Sequence, residues 1–149
     1  MYIGTLPGGG TTDYAVEIYH EALDKGNYNC YLEEQAELPM LHMDDCVEGT
    51  LQLIAAQRDT LTQCTYNVGG LSFTPEDVTA SIQKEIPEFT CTYSPDSRQA
   101  IADGWPKSLD STAATQDWGW QPKYDLDRVT RAMLSDLAPH YDTSYVPKN

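Results

Sequence analysis

The sequence predicts an α/β fold, and three observations carry that reading. Stretches with apolar residues at helical spacing alternate with short β-prone runs. Helix starts and stops are marked by Ser, Thr or Asp caps, a first-turn proline and terminal Gly or Pro. The chain is 149 residues long, enough to bury a core without disulfides or metals.

Taken in order, "YIG" at 2–4 reads as the end of a strand. After "LPGGGTTDY", Ala15, Ile18, Tyr19, Ala22 and Leu23 recur at helical spacing, and Gly26 ends the pattern. "NYNCYLE" (27–33) is a strand candidate and "ELPMLHMDD" (37–45) an extended stretch. Asp45, with Glu48 three residues on, reads as the N-cap of a helix carrying Val47, Leu51 and Ile54 as its apolar stripe. "CTYNVGG" (64–70) is a β-prone run closed by two glycines.

Thr74 then caps a helix with Pro75 at its first position, and Pro87 stops it. Val78 and Ile82 lie on its apolar face. "FTCTYSP" (89–95) is a further strand candidate, and a short helix covers 111–118. A last helix starts near Asp125, shows Leu126, Val129, Met133 and Leu137 on one face, and ends at Pro139. No linker divides 1–149, which reads as a single region, with 139–149 as a loose tail.

Nine Lys and Arg against 23 Asp and Glu give a net charge of −14. That balance argues against nucleic acid and anionic membranes as partners. No apolar run approaches the ~20 residues that span a bilayer. The start has no basic segment followed by an apolar one, so no signal peptide is expected and the protein is placed inside the cell, in cytoplasm or mitochondrion. Cys30, Cys46, Cys64 and Cys91 are too far apart for C-x-x-C, and His20, His42 and His140 have no ligand spacing. Reduced thiols and no metal site are expected.

Gly8, Gly9 and Gly10 run straight into a helix, an arrangement that leaves backbone N–H groups free to hold an anion. The plain alternative is that Thr11, Thr12 or Asp13 caps that helix.

Several segments together resemble the C-terminal half of an extended short-chain dehydrogenase/reductase. These are "LPMLHMDDCVEGTLQLI", "TYNVGGLSFTPEDVTASI" and "WGWQPKYDLDRVTRAM", the last with Trp118 where the superfamily signature has Leu. More narrowly, "PGGGTTDYAVEIYHEAL" and "SPDSRQAIADGWPKSLD" resemble the NAD-dependent L-threonine 3-dehydrogenases of that superfamily. The resemblance runs over residues 6–138. It implies the C-terminal part of a Rossmann-type fold, a substrate-binding region with remnant sheet strands, and no nucleotide-binding half. The family oxidises the 3-hydroxyl of L-threonine to 2-amino-3-ketobutyrate with NAD+.

That chemistry needs a dinucleotide-binding glycine motif and a Tyr-x-x-x-Lys pair. The sequence has no G-x-G-x-x-G or G-x-x-G-x-x-G, and none of its ten tyrosines has Lys four residues on. No catalytic residue is therefore assigned, NAD is expected not to bind this chain alone, and the chain alone is expected to be inactive. The resemblance implies substrate binding by Thr12, Asp13 and Trp105. The glycine turn would take the amino-acid carboxylate, Asp13 the ammonium, and Trp105 would cover the substrate. Arg98 is expected to pair with an acid, and Trp118, Trp120 and Tyr124 to pack. The strand at "TYNVG" would join a sheet supplied mainly by the nucleotide-binding half. Without it, Tyr66 and Val68 would lose sheet neighbours and Val78 and Ile82 would be partly uncovered. Self-association, or binding to such a half, is the expected outcome. Two alternatives stay open: a non-catalytic protein that binds a small ligand or partner chain, and a fragment of a sugar-nucleotide epimerase or dehydratase.

Overall fold

A computed structural model describes residues 8–143, 145 and 146; the strand expected at 2–4 lies outside them. A 3-10 turn, Thr11–Asp13, leads into α1, Tyr14–Asp24. The helix stops where expected. Gly26 takes φ +68°, a left-handed conformation that a side chain resists, and its N–H returns to the Glu21 carbonyl.

β1 (Asn27–Cys30) pairs in parallel with β4 (Thr90–Tyr93), with Asn27 opposite Thr90 and Cys30 opposite Tyr93. β2 (Leu38–Met40) pairs antiparallel with β3 (Leu71–Phe73). The helices are α2 (Met43–Ala55), α3 (Pro75–Glu85), α4 (Ser97–Ala102), α5 (Thr112–Trp118) and α6 (Leu126–Leu137). The class is α/β, with two small sheets among helices.

The core lies where α1, α3 and α6 meet. Tyr14, Ile18, Tyr19, Val78, Ile82, Val129 and Met133 are fully buried there. Each large apolar side chain so buried contributes ~1.5–3 kcal/mol. Val78 and Ile82 are thus not left uncovered, because α1 and α6 close over their helix without help from another half. A polar seam ties the same three helices. Tyr19 Oη meets Thr130 Oγ1 at 3.1 Å, and Ser81 Oγ lies 2.8 Å from Thr130 Oγ1 and 2.7 Å from Asp127 Oδ1. A buried hydroxyl needs such a partner.

Thr74 and Asp77 cap α3 reciprocally with Pro75 in the first turn, and Asp125 caps α6, as the residue types predict. Beyond Pro139, the Tyr141 hydroxyl sits 2.6 Å from His20 Nδ1 on α1.

Two further expectations are corrected. The cap of α2 is His42, whose Nδ1 accepts from the Asp44 N–H at 3.3 Å; Asp45 lies inside the helix. The run at 64–70 forms no strand. Its burial alternates, with Tyr66 and Val68 half-buried and Thr65 and Asn67 exposed, but no ladder pairs with it among the described residues.

Candidate functional site

Three glycines give the turn before α1 its shape. Gly9 takes φ +93°, which only glycine adopts without strain. The Asp13 carboxylate folds back under the turn. Its Oδ2 accepts from the N–H of Gly8 at 2.8 Å and of Gly10 at 2.9 Å. The anion held by these amides is therefore the protein's own side chain: Asp13 reaches back to the Gly10 N–H, as the acidic residue of a capping box does, while Gly10 returns only its backbone carbonyl to the Asp13 N–H, and the bond from Gly8 is added to that. Asp13 Oδ1 keeps no hydrogen bond among the described residues.

The other face of the turn is held by Tyr31, whose hydroxyl donates to the Gly10 carbonyl at 2.9 Å. Burial pushes the Tyr31 phenol well above its ordinary range, which keeps it protonated and a donor. Arg98 lies over the Tyr31 ring, 3.1 Å from its centroid, and pairs with Asp96 at 2.6 Å. The expected acid partner of Arg98 is thus Asp96, and the Arg98 hydrogen bonds hold the Asp96 carboxyl below the usual carboxylate range. Arg98 belongs to α4, which packs against the Thr11–Asp13 turn. Sequence reading missed α4. Its signal was Asp96, which accepts from the Arg98 N–H at 2.8 Å as an N-cap.

Thr12 and Asp13 are brought together on the turn, both half-buried. Trp105 follows α4 and is 46% exposed. It lines a cavity of about 180 Å³ with Glu33, Glu37, Leu38, Gln99 and Lys107, whose walls do not include Thr12 or Asp13.

A second unit surrounds the start of α2. Asp45 is buried and accepts from the N–H of Lys123 at 3.0 Å and of Tyr124 at 3.1 Å. His42 stacks on Tyr124, and burial lowers the His42 pKa. Trp120 is buried, donates from Nε1 to the Gly69 carbonyl at 2.9 Å and lies against Gly49. Trp118, Trp120 and Tyr124 are packing residues, as expected.

The small and polar residues Asp45 and Gly49 thus face the body of the protein, and the apolar stripe of α2 faces out. Val47 is 51% exposed, Leu51 56% and Ile54 75%. Beside this helix, Val68 touches Gly49. The run containing Val68 is pinned at both ends. Asp117 accepts from the Thr62 N–H at 2.8 Å and the Tyr66 hydroxyl at 2.5 Å, and Ser111 Oγ accepts from the Gly69 N–H at 2.6 Å. Between the pins, the backbone groups of Thr65, Asn67 and Val68 make no hydrogen bond among the described residues. An outward apolar helix face and a segment with unpaired backbone groups lie side by side.

Strand β1 runs on into Tyr31 and Leu32, and β4 into Ser94 and Pro95, so neither parallel strand opens onto a glycine turn that could cradle a pyrophosphate. Among the described residues, no helix is long and apolar enough to cross a membrane.

No protein-family model matches the chain. It is 45% identical over 130 residues to the mitochondrial L-threonine 3-dehydrogenase of Bos taurus, which covers 87% of this chain and 35% of the bovine protein. It is 47% identical over 133 residues to an uncharacterized epimerase/dehydratase of Staphylococcus haemolyticus, covering 88% of this chain and 42% of that one. The crystal structure of L-threonine dehydrogenase from Phytophthora infestans superposes with a TM-score of 0.91 at 52% identity, over 93% of this chain and 45% of that one. The chain therefore spans less than half the length of these relatives. In sequence and fold it is similar to the C-terminal part of L-threonine 3-dehydrogenases and epimerase/dehydratases.

Proposed function

We propose that this chain supplies the substrate-binding half of an NAD-dependent L-threonine 3-dehydrogenase and acts only together with a nucleotide-binding half, in the same polypeptide or another. The outward apolar face of α2 beside the unpaired edge at 65–68 carries this reading. A helix that turns its Gly and Asp inward and its Val, Leu and Ile outward is built to be covered from outside. An extended edge with free N–H and C=O groups is completed by a neighbouring strand. The nucleotide-binding half would supply both, along with the cofactor and the proton-transferring groups.

When bound, NAD+ would accept the hydride. This chain's own part is to bind and orient threonine. Thr12 offers a hydroxyl at the start of α1, and Trp105 comes over the substrate and excludes water once the other half closes the site. The chain alone neither binds NAD nor oxidises threonine in this reading.

The test is a chimera in which this chain replaces the matching C-terminal region of the Phytophthora infestans enzyme. The chimera is expected to form NADH from L-threonine. Replacing Thr12 by Ala removes a hydrogen bond to a charged group and is expected to lower kcat/KM for threonine about 10- to 100-fold, with NAD+ affinity unchanged. Trp105→Ala is expected to impair threonine use in the same way. A folded chimera inactive with threonine, or normal kinetics in both variants, would contradict the assignment.

A further inference from the structure

We infer that Asp13 and Tyr31 are positioning residues, which lock the glycine turn between them and set the placement of Thr12, and that Asp13 does not itself pair with the substrate ammonium. The inference rests on the functional reading above for its consequence, and on geometry for its content.

Asp13 Oδ2 spans the turn from below, taking the N–H groups of both Gly8 and Gly10. The reach of a first-turn acid back to its N-cap would tie only Gly10. The added bond to Gly8 closes the loop around Gly9, the residue with φ +93°. From the other side, the Tyr31 hydroxyl holds the Gly10 carbonyl at 2.9 Å. Tyr31 is itself buried and flanked by Arg98, so its ring has little freedom. Gly10 is thus gripped at its N–H and its C=O. The chain leaves the grip at Thr11 and Thr12, so their hydroxyls inherit its position.

The charge argument runs the same way. The amides that could receive a substrate carboxylate already hold a carboxylate. Asp13 Oδ2 is likewise committed to two N–H groups, which ties the orientation of the carboxylate to the turn. A carboxylate is not needed for the grip, because one amide oxygen has two lone pairs and can accept both bonds. Asn therefore serves as well as Asp for positioning, and fails for binding a cation.

That difference is the experiment. Amide hydrogen exchange of Gly8 and Gly10 is measured on the 15N-labelled chain, without threonine or NAD, for the parent protein and for Asp13→Asn, Asp13→Ala and Tyr31→Phe. Protection is expected in the parent and in Asp13→Asn, with a loss of about tenfold or more in Asp13→Ala and a smaller loss in Tyr31→Phe. In the chimera, Asp13→Asn is expected to keep the threonine KM within about threefold of the parent, and Asp13→Ala to raise it about tenfold with kcat little changed. Unchanged protection in Asp13→Ala would overturn the grip. An Asp13→Asn chimera as impaired as Asp13→Ala would show that the charge meets the ammonium, and would overturn the reassignment. If the chimera does not use threonine at all, the exchange result still decides whether the grip exists.

Discussion

The imidazole of His42 lies flat on the ring of Tyr124, with centroids 3.8 Å apart and planes at 15°. Below it, Nδ1 accepts from the Asp44 N–H, so the ring proton of the neutral form sits on Nε2. Protonation would turn Nδ1 into a donor facing another donor. Burial lowers the His42 pKa, while the Asp44 carboxylate 3.8 Å away pulls it up, and burial prevails. The contact between His42 and Asp44 is therefore not an ion pair near neutral pH.

A pH dependence follows. A histidine whose folded pKa lies below its unfolded value costs nothing above the unfolded pKa, near 6.5. Below it the unfolded chain takes up a proton that the folded chain refuses, so stability falls as pH drops, by at most ~1.4 kcal/mol per pH unit for each such group. His20, also lowered by burial, adds to the trend. Denaturation at pH 7.5, 6.5 and 5.5 is expected to show this loss, and His42→Asn, which keeps a capping side chain, to reduce it. Equal slopes in the two proteins would contradict the account.

Asp45 was read as a cap, and its real work is different. It holds the N–H groups of Lys123 and Tyr124, fastening the approach to α6 onto α2. Asp45→Ala leaves those donors facing an apolar methyl, at a cost of ~1–3 kcal/mol for a buried group left unpaired. A loss below ~0.5 kcal/mol in chemical denaturation would show that this fastening does not matter.

Gly49→Ala tests the inward face of α2. Alanine favours a helix over glycine by ~1 kcal/mol. Here the new Cβ would meet Trp120 Cζ3 at 2.8 Å and Val68 Cγ1 at 3.1 Å. Trp120 is buried and tied to Gly69, so it cannot swing aside freely. Overpacking of this kind costs ~1–3 kcal/mol, and a net loss of stability is expected. A gain of the full helix-propensity term would show that α2 is not packed against Trp120.

Leu51→Asp tests the outward face. Leu51 is 56% exposed, so the variant is expected to melt with the parent. Binding to a separately produced nucleotide-binding portion of the Phytophthora infestans enzyme is expected to weaken about tenfold or more, since a buried leucine contributes ~1.5–3 kcal/mol. Ile101→Asp, at another exposed apolar residue, serves as the control and is expected to bind normally. Equal binding by all three proteins, or a dimer of this chain that Leu51→Asp abolishes, would place the missing half elsewhere.

What the sequence shows, and what it hides, follows one physical line. Features settled within a few residues were legible: Thr74 with Pro75, Asp125, and Gly26 each act on their own backbone. The stripe of Val47, Leu51 and Ile54 was legible as a stripe, but periodicity says only that a face is apolar, never what covers it. The run at 64–70 has β-prone residues, yet a strand exists only through its neighbour, and no neighbour strand lies beside it among the described residues. Asp45 was read as the cap because its residue type favours that position, yet His42 takes it, and only the position of Lys123 and Tyr124, far along the chain, shows what Asp45 does instead. Thr12, Asp13 and Trp105 were picked out by resemblance. That Asp13 turns back onto its own loop depends on the bend at Gly9, which no spacing rule reports.

The central claim is that this chain is one half of a threonine dehydrogenase site. Its most direct measurement is NADH formation at 340 nm from L-threonine and NAD+, with the purified chain alone, with the nucleotide-binding portion of the Phytophthora infestans enzyme alone, and with the two mixed. The account expects background rates from each component and threonine-dependent NADH from the mixture. Turnover by the chain alone, or a mixture that forms a complex and stays at background, would contradict it.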